Sequence, residues 1–405
     1  MLFLLSFAHA ANYNVEFCAK FQVNYSDALS TTGDDEFTSN SNKTAKGVKV
    51  KVKNNTTGAY VFNGYTSTSS SNPGCTGTLV LNNAYRYTVT IHADTYRNSN
   101  YVKVKNDLTN NAIWYSTVYS SYLPTASGTF DIVTGSHQAW NIAASAGEAL
   151  SSHNGGLTGE TYTFYSDDPV STGNSTPGSY DGDIAYIAND TYKYVTAHEM
   201  GHMIAMKADP GTGLNSSYAA TDAGDPCLDE NDDPGHPYNS KEYSSGAANE
   251  GFASYFGATS FNYEGDGDCF YYVHYSVDWD NDGNTAEEPR VMSCEFGVDR
   301  NNDGDFVDAT DVDGADYMGD TCTGTSANRG TQYDWLRFFW DLADESTISF
   351  ADTLDLLVEA DHDSWNSTDA GAAADDPWPR IEDGAAVVGI DAEVATWGAY
   401  NGVDR

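Results

Sequence analysis

The sequence predicts an α+β fold in two parts: an N-terminal β-sandwich over residues 11–128, then a mixed domain over residues 129–405 whose C-terminal part is helical. Apolar and polar residues alternate along the first part with the period of two that is typical of strands. Apolar residues in the second part recur at helical spacing. Charge divides at the same place, because residues 1–130 hold ten basic and seven acidic side chains, whereas residues 131–405 hold nine basic and 52 acidic.

The overall charge limits the classes of partner. The chain has 405 residues, with 19 Lys and Arg against 59 Asp and Glu, which gives a formal net charge of −40. A field of that sign repels phosphate backbones and anionic lipids, so we expect neither nucleic-acid binding nor membrane-surface binding. No apolar run approaches the roughly 18 residues that a membrane span requires, so we expect no membrane span. The composition is that of a soluble, acidic globular protein; it leaves the oligomeric state open.

The N-terminus and the cysteines indicate export. An apolar stretch, Leu2–Phe7, precedes Ala8-His9-Ala10, which resembles a small-x-small cleavage site, so residues 1–10 are interpreted as the remnant of a signal peptide. The alternative is a buried first strand. The six cysteines include no C-x-x-C pair, which favours disulfides and a secreted, extracellular protein. Cys18 with Cys75 would close a loop within the first part, and Cys294 with Cys322 would bracket an Asp-rich loop; other pairings remain open.

Individual elements follow from local patterns. Residues 48–53 alternate valine with lysine, and residues 85–91 and 101–105 repeat the same period, which predicts half-buried strands with lysines facing water. The second part is predicted to contain a helix over 136–152, a strand over 183–188, a helix over 192–207 stopped by Asp209-Pro210-Gly211, a helix around 248–256, and helices at 335–342 and 354–358.

One short motif carries metal chemistry. Residues 198–202 read His198-Glu199-Met200-Gly201-His202, an H-E-x-x-H pattern on a predicted helix. Because positions i and i+4 share one helical face, both imidazoles can bind one ion, and imidazole nitrogen suits zinc. Glu199 is rotated away from that line and would contact a water on the metal. The alternative is an ordinary helix with a partly buried histidine pair.

A catalytic zinc site needs a third protein ligand. Downstream, Asn249-Glu250-Gly251-Phe252-Ala253 offers a carboxylate on a second predicted helix. H-E-x-x-H followed by this segment resembles the gluzincin zinc peptidases over two short stretches of the chain. The resemblance implies a zincin-like metallopeptidase domain, zinc ligands His198, His202 and Glu250, and Glu199 as general base. It also implies a polypeptide substrate, and we expect an endopeptidase.

Two features depart from that family's pattern. The 47 residues between His202 and Glu250 exceed the family's usual spacing and include an insertion, 209–243, in which His236 is a rival third ligand. The sequence also lacks the downstream histidine motif of thermolysin-like enzymes, so it does not support that closer assignment. A second electrophile usually helps to hold the oxyanion of the reaction, and the candidates are Tyr333 and His362.

Acidic loops over 278–313 form a second candidate metal system. Two segments place oxygen-bearing side chains at alternate positions before a glycine, as calcium loops do. Their candidate ligands are Asp278, Asp280 and Asp282 in the first loop, and Asp299, Asn301 and Asp303 in the second. The usual glutamate at position twelve is replaced by Pro289 and Thr310, so the alternative is a solvated acidic loop.

A function of another class also follows from these loops: a non-catalytic, calcium-stabilised adhesion or binding module in which H-E-x-x-H is degenerate or incidental.

Overall fold

The structure is a computed structural model. It describes residues 10–27, 42–106, 111–153, 158–166, 176–177, 183–188, 192–208, 238–239, 242–262, 269–272, 291–294, 297–298, 312–313, 317, 329–346, 348–361 and 378–403. The signal-peptide interpretation therefore lies outside the described residues, apart from residue 10.

The described chain mixes helices and strands, which confirms the α+β class at a coarse level. The strands in chain order are β1 (Asn12–Gln22), β2 (Asn42–Thr44), β3 (Val48–Asn54), β4 (Tyr60–Tyr65), β5 (Leu79–Asn82), β6 (Tyr87–Arg97), β7 (Asn100–Lys105), β8 (Tyr115–Tyr122), β9 (Gly128–Val133), β10 (Thr161–Tyr165), β11 (Thr176–Pro177), β12 (Ile184–Tyr186), β13 (Glu242–Tyr243), β14 (Phe270–Tyr272), β15 (Val291–Ser293), β16 (Gly297–Val298), β17 (Val312–Asp313) and β18 (Arg329–Gly330). The helices are α1 (Gln138–Ser152), α2 (Lys193–Ala208), α3 (Ser244–Phe261), α4 (Gln332–Asp344), α5 (Phe350–Asp361), α6 (Trp378–Val388) and α7 (Asp391–Tyr400).

Two sheets hold most of the strands. The smaller sheet has the order β2-β1-β5, with β9 also paired to β1, and the larger has the order β11-β12-β10-β7-β6-β3-β4, with β8 also paired to β6. Short antiparallel pairs join β13 to β18, β14 to β15 and β16 to β17. The valine–lysine alternation of β3 is confirmed, because Val48, Val50 and Val52 are fully buried while the lysines between them are half-buried or exposed.

The sheets do not end at the boundary expected near residue 128. Strand β9 pairs in parallel with β1, and β10 pairs in parallel with β7 of the N-terminal region. Parallel neighbours require a crossover connection. Helix α1 lies between β9 and β10 in the chain and packs against β6 and β7, so it forms part of the connection to β10. One hydrophobic core joins strands to helices, as in the stacking of Phe21 on Trp140 with ring centroids 5.6 Å apart.

The disulfides agree with the expected pairing at one position and differ at another. Cys18 bonds to Cys75, as predicted. Cys294 bonds to Cys269, so the expected Cys294–Cys322 pairing is wrong. The antiparallel pairing of β14 with β15 explains the difference, since it places Cys269 directly beside Cys294 with the Cα atoms 5.1 Å apart. That separation lies within the usual range for a disulfide.

Side chains cap two of the helices that surround the candidate site. Thr331 Oγ1 accepts a hydrogen bond from the Asp334 amide at the start of α4, and Asp27 Oδ2 accepts one from the Tyr194 amide in the first turn of α2. Both helix starts are therefore tied to buried polar groups. Among the described helices, none is both long enough and apolar enough to cross a bilayer.

Candidate metal centre

Helix α2 carries the H-E-x-x-H motif through the interior. Tyr194, Ala197, Met200 and Met203 are at most 1% exposed. The first turn of the helix is tied to Asp27, which follows β1 and accepts the hydrogen bond from the Tyr194 amide, so the N-terminal part of the chain helps to position the helix that carries the motif. Burial raises the pKa of Asp27 to about 6, although the neighbouring Lys193 ammonium opposes the shift.

Helices α2 and α3 pack at close range at Gly201, where a methyl group would lie 2.8 Å from Cα of Ala253. Further along α3, a methyl group at Gly257 would lie 3.6 Å from the His198 amide nitrogen, which is ordinary contact. Positions therefore pair in opposite order along the two helices, so α2 and α3 run antiparallel. This register brings Glu250 opposite His202 despite the 47 intervening residues.

Helix α4 closes on α3 from another side. A methyl group at Gly251 would fall 2.9 Å from the backbone of both Trp335 and Leu336, and closer still to the Cβ of Trp335. Only a glycine permits this approach without displacement of α4. The close packing at Gly251 therefore holds the preceding residue, Glu250, between α2 and α4.

Three ligand atoms converge between α2 and α3. Nε2 of His198 lies 3.0 Å from Oε2 of Glu250, Nε2 of His202 lies 3.3 Å from the same oxygen, and the two Nε2 atoms are 3.1 Å apart. His202 and Glu250 are buried, and the His198 side chain is only 14% exposed. The three residues form a group that could hold a metal ion.

The distances fit a small tetrahedral cation. Ligand bonds of about 2.0–2.1 Å at tetrahedral angles place ligand atoms about 3.3–3.4 Å apart. The observed separations of 3.0–3.3 Å are slightly shorter, so a small outward shift of the three side chains would admit such an ion. The donor set of two imidazoles and one carboxylate suits zinc, but other divalent transition metals bind such ligands as well.

The outer nitrogen of each histidine has a partner on α3. Nδ1 of His202 lies 3.2 Å from Oδ1 of Asn249, and Nδ1 of His198 lies 3.1 Å from Oγ of Ser254. A proton on Nδ1 that is donated to these oxygens leaves Nε2 with a free lone pair, which is the tautomer that binds a metal. The sequence did not single out Ser254, although its position one helical turn after Glu250 places it on the same face of α3.

Glu199 lies within the same buried site. It is 6% exposed, and its Oε2 atom has no hydrogen-bond partner among the described residues. Burial raises the pKa of Glu199 to about 8; Glu250 adds to the shift, and His202 opposes it. A buried carboxyl oxygen with no partner in the described part of the chain can contact a small polar group next to the histidines.

The Glu250 carboxylate also shifts the pKa of His202. Burial disfavours the charged imidazole, but Glu250 outweighs burial and raises the pKa of His202 to about 9. Because a metal binds the neutral ring, a cation at this position would displace that proton.

The structure brings together four of the site residues expected from the sequence: His198, Glu199, His202 and Glu250. It places Tyr333 in the core, where its hydroxyl donates to the carbonyl of Ser293 at 2.9 Å. The following candidates lie outside the described residues: His236, His362, Asp278, Asp280, Asp282, Asp299, Asn301 and Asp303.

No protein-family model matches the chain, and no curated protein matches it.

Proposed function

We propose that this protein is a zinc-dependent metallopeptidase of the gluzincin type, with helices α2, α3 and α4 at the centre of a zincin-like catalytic domain. The observation that supports the proposal most strongly is the convergence of His198 Nε2, His202 Nε2 and Glu250 Oε2 within 3.3 Å of one another. The glutamate comes from a second helix, as the resemblance implies.

The proposed mechanism assigns a role to each residue. Zinc, when bound, would polarise the scissile carbonyl and lower the pKa of a water in the open coordination position. Glu199 would take a proton from the attacking water and deliver it to the leaving amine. Its raised pKa of about 8 is the value before any cation binds, and a neighbouring positive charge would lower it towards the range of a general base at neutral pH.

The proposal also covers the oxyanion-stabilising residue, the location of the protein and the parts of the chain outside the metal site. Tyr333 and His362 remain candidates for stabilising the oxyanion, and Tyr333 would first have to release its hydrogen bond to Ser293. We also propose that the chain acts outside the cell, which two disulfides support. The calcium loops over 278–313 and an accessory β-sandwich at the N-terminus stay proposals of the same kind.

The intact Glu199 favours an enzyme over a binding module, since a degenerate site has no need of the base. The experiment compares wild type with Glu199→Gln and Glu250→Gln, measuring bound zinc and cleavage of casein with and without a removable chelator. We expect Glu199→Gln to keep zinc while hydrolysis falls by roughly 10²–10⁴-fold. We expect Glu250→Gln to lose zinc as well as activity. Unchanged cleavage by Glu199→Gln would rule out its role as base, and zinc-free, inactive wild type would refute the proposal altogether.

A further inference from the structure

We infer that Ser254, held in orientation by Gln332 of α4 and Tyr238, is the positioning residue that sets the metal-binding tautomer of His198. The inference rests on the proposed metal site. Ser254 belongs to a hydrogen-bond cluster that links the metal ligand His198 on α2 to a third helix, α4.

The proton of His198 determines what its neighbour must do. Nε2 faces Glu250 and His202, so it must be bare when a cation binds there. The ring proton then sits on Nδ1, and Ser254 Oγ at 3.1 Å is its acceptor. Ser254 must therefore offer a lone pair, although a serine hydroxyl can equally well donate.

The other neighbours of Ser254 favour the accepting orientation. Gln332 Nε2, which can only donate, lies 2.7 Å from Ser254 Oγ and takes one of its two lone pairs. The second lone pair is then available to His198, provided that the hydroxyl proton is directed elsewhere. Tyr238, with its oxygen 3.1 Å from Ser254 Oγ, can receive that proton, and the Tyr271 hydroxyl joins the same cluster.

The amide orientation of Gln332 has independent support. Its Nε2 atom also lies 3.5 Å from the carbonyl oxygen of Glu250. The reverse orientation would set the amide oxygen against that carbonyl oxygen, which is unfavourable because neither oxygen carries a proton. Gln332 therefore acts as a donor towards Ser254 and lies beside the backbone of the third ligand.

Burial makes the cluster costly to disrupt. Ser254 is fully buried, Gln332 is 3% exposed and Tyr238 is 5% exposed. Loss of the Ser254 oxygen would leave the Nδ1 proton of His198 facing a buried methyl group, where water does not readily take the place of the lost acceptor. The favoured tautomer would then carry its proton on Nε2, where it blocks the metal. Residues that orient a ligand in this way typically change metal affinity by about 10–100-fold when they are removed.

The test measures the zinc affinity of the purified, metal-free chain by competition with a coloured chelator. The variants are Ser254→Ala and Gln332→Met, which removes the donor while keeping the length of the side chain. The control is Ser260→Ala, which deletes another buried hydroxyl of α3 that bonds to the carbonyl of Phe256, away from the ligands.

We expect Ser254→Ala to weaken zinc binding by about 10–100-fold. Gln332→Met should weaken it by less, and Ser260→Ala should bind as wild type does while losing comparable thermal stability. If Ser254→Ala does not fold, the comparison of Gln332→Met with Ser260→Ala decides. Wild-type affinity in both site variants would overturn the inference and leave the proposed function standing, whereas a wild-type chain that binds no zinc would remove the basis for both.

Discussion

The replacement of Gly251 by alanine tests whether glycines set the helix contacts around the site. A methyl group at this position would lie 2.9 Å from the backbone nitrogen of Leu336 and 2.9 Å from the carbonyl carbon of Trp335. Unstrained contacts of this kind need about 3.5 Å, and the methyl group would lie closer still to the Cβ of Trp335, so α4 would have to move by more than about an ångström. The neighbours are two backbone atoms and the Cβ of Trp335, none of which can rotate out of the way.

The expected magnitude combines two opposing effects. Overpacking of a buried contact costs about 1–3 kcal/mol, and occasionally more. Alanine returns up to about 1 kcal/mol, because glycine is a poor helix former. Since the obstruction is backbone, we place the overpacking cost at the upper end of its range and expect the free energy of unfolding to fall by about 2 kcal/mol. The zinc affinity should fall as well, because Glu250 is the adjacent residue.

The chain provides a matched control on another buried helix. A methyl group at Gly147 of α1 would lie 3.5 Å from Cγ2 of Thr95, which is ordinary contact, so Gly147→Ala should be neutral or should stabilise the protein by up to about 1 kcal/mol. Gly201→Ala should destabilise, since the methyl group would lie 2.8 Å from Cα of Ala253. Urea unfolding and zinc titration of the three variants provide the measurements. If Gly251→Ala were as stable as Gly147→Ala and bound zinc equally well, the close packing of α3 on α4 would be refuted.

Two further predictions concern stability away from the ligands. The Asp27 carboxyl has its pKa raised from a usual value of about 4 to about 6, so its extra stabilisation is present at low pH and is lost as the pH rises through 6. In urea-unfolding experiments, wild type should lose about 2 kcal/mol relative to Asp27→Asn between pH 4 and 7, and parallel pH profiles would contradict the burial of this group. The Cys18–Cys75 disulfide spans 57 residues, so its removal by paired alanine substitutions should lower the free energy of unfolding by about 4 kcal/mol. The zinc stoichiometry should stay at the wild-type value. Loss of zinc in that variant would show that the N-terminal sheet and the metal site depend on each other more strongly than the structure indicates.

Local patterns predicted the part of the site that lies within one helix. His198 and His202 share a face because of their spacing, and this holds whatever surrounds the helix. Glu250 was reached by resemblance to a family motif, and the structure adds its physical reason: the antiparallel register of α2 and α3, which pack closely at Gly201.

Contacts between distant segments were not readable from the sequence. Gln332 reaches Ser254 across 78 positions, and neither residue type signals such a partner. The same limit applies to the sheets, since a period of two identifies a strand but not its neighbour, and the parallel pairing of β10 with β7 crosses the expected boundary near residue 128. The sequence suggested Cys322 as a partner for Cys294 because the two bracket an acidic loop, with other pairings open, whereas the pairing of β14 with β15 places Cys269 beside Cys294.

Anomalous X-ray scattering at the zinc edge, from crystals of the zinc-loaded protein, tests the central claim most directly. The account predicts one strong peak at about 2.0–2.2 Å from Nε2 of His198, Nε2 of His202 and a carboxylate oxygen of Glu250, with the Glu199 carboxylate near the open position. A zinc-loaded crystal without a peak at that point, or with Glu250 beyond bonding distance of the ion, would contradict it.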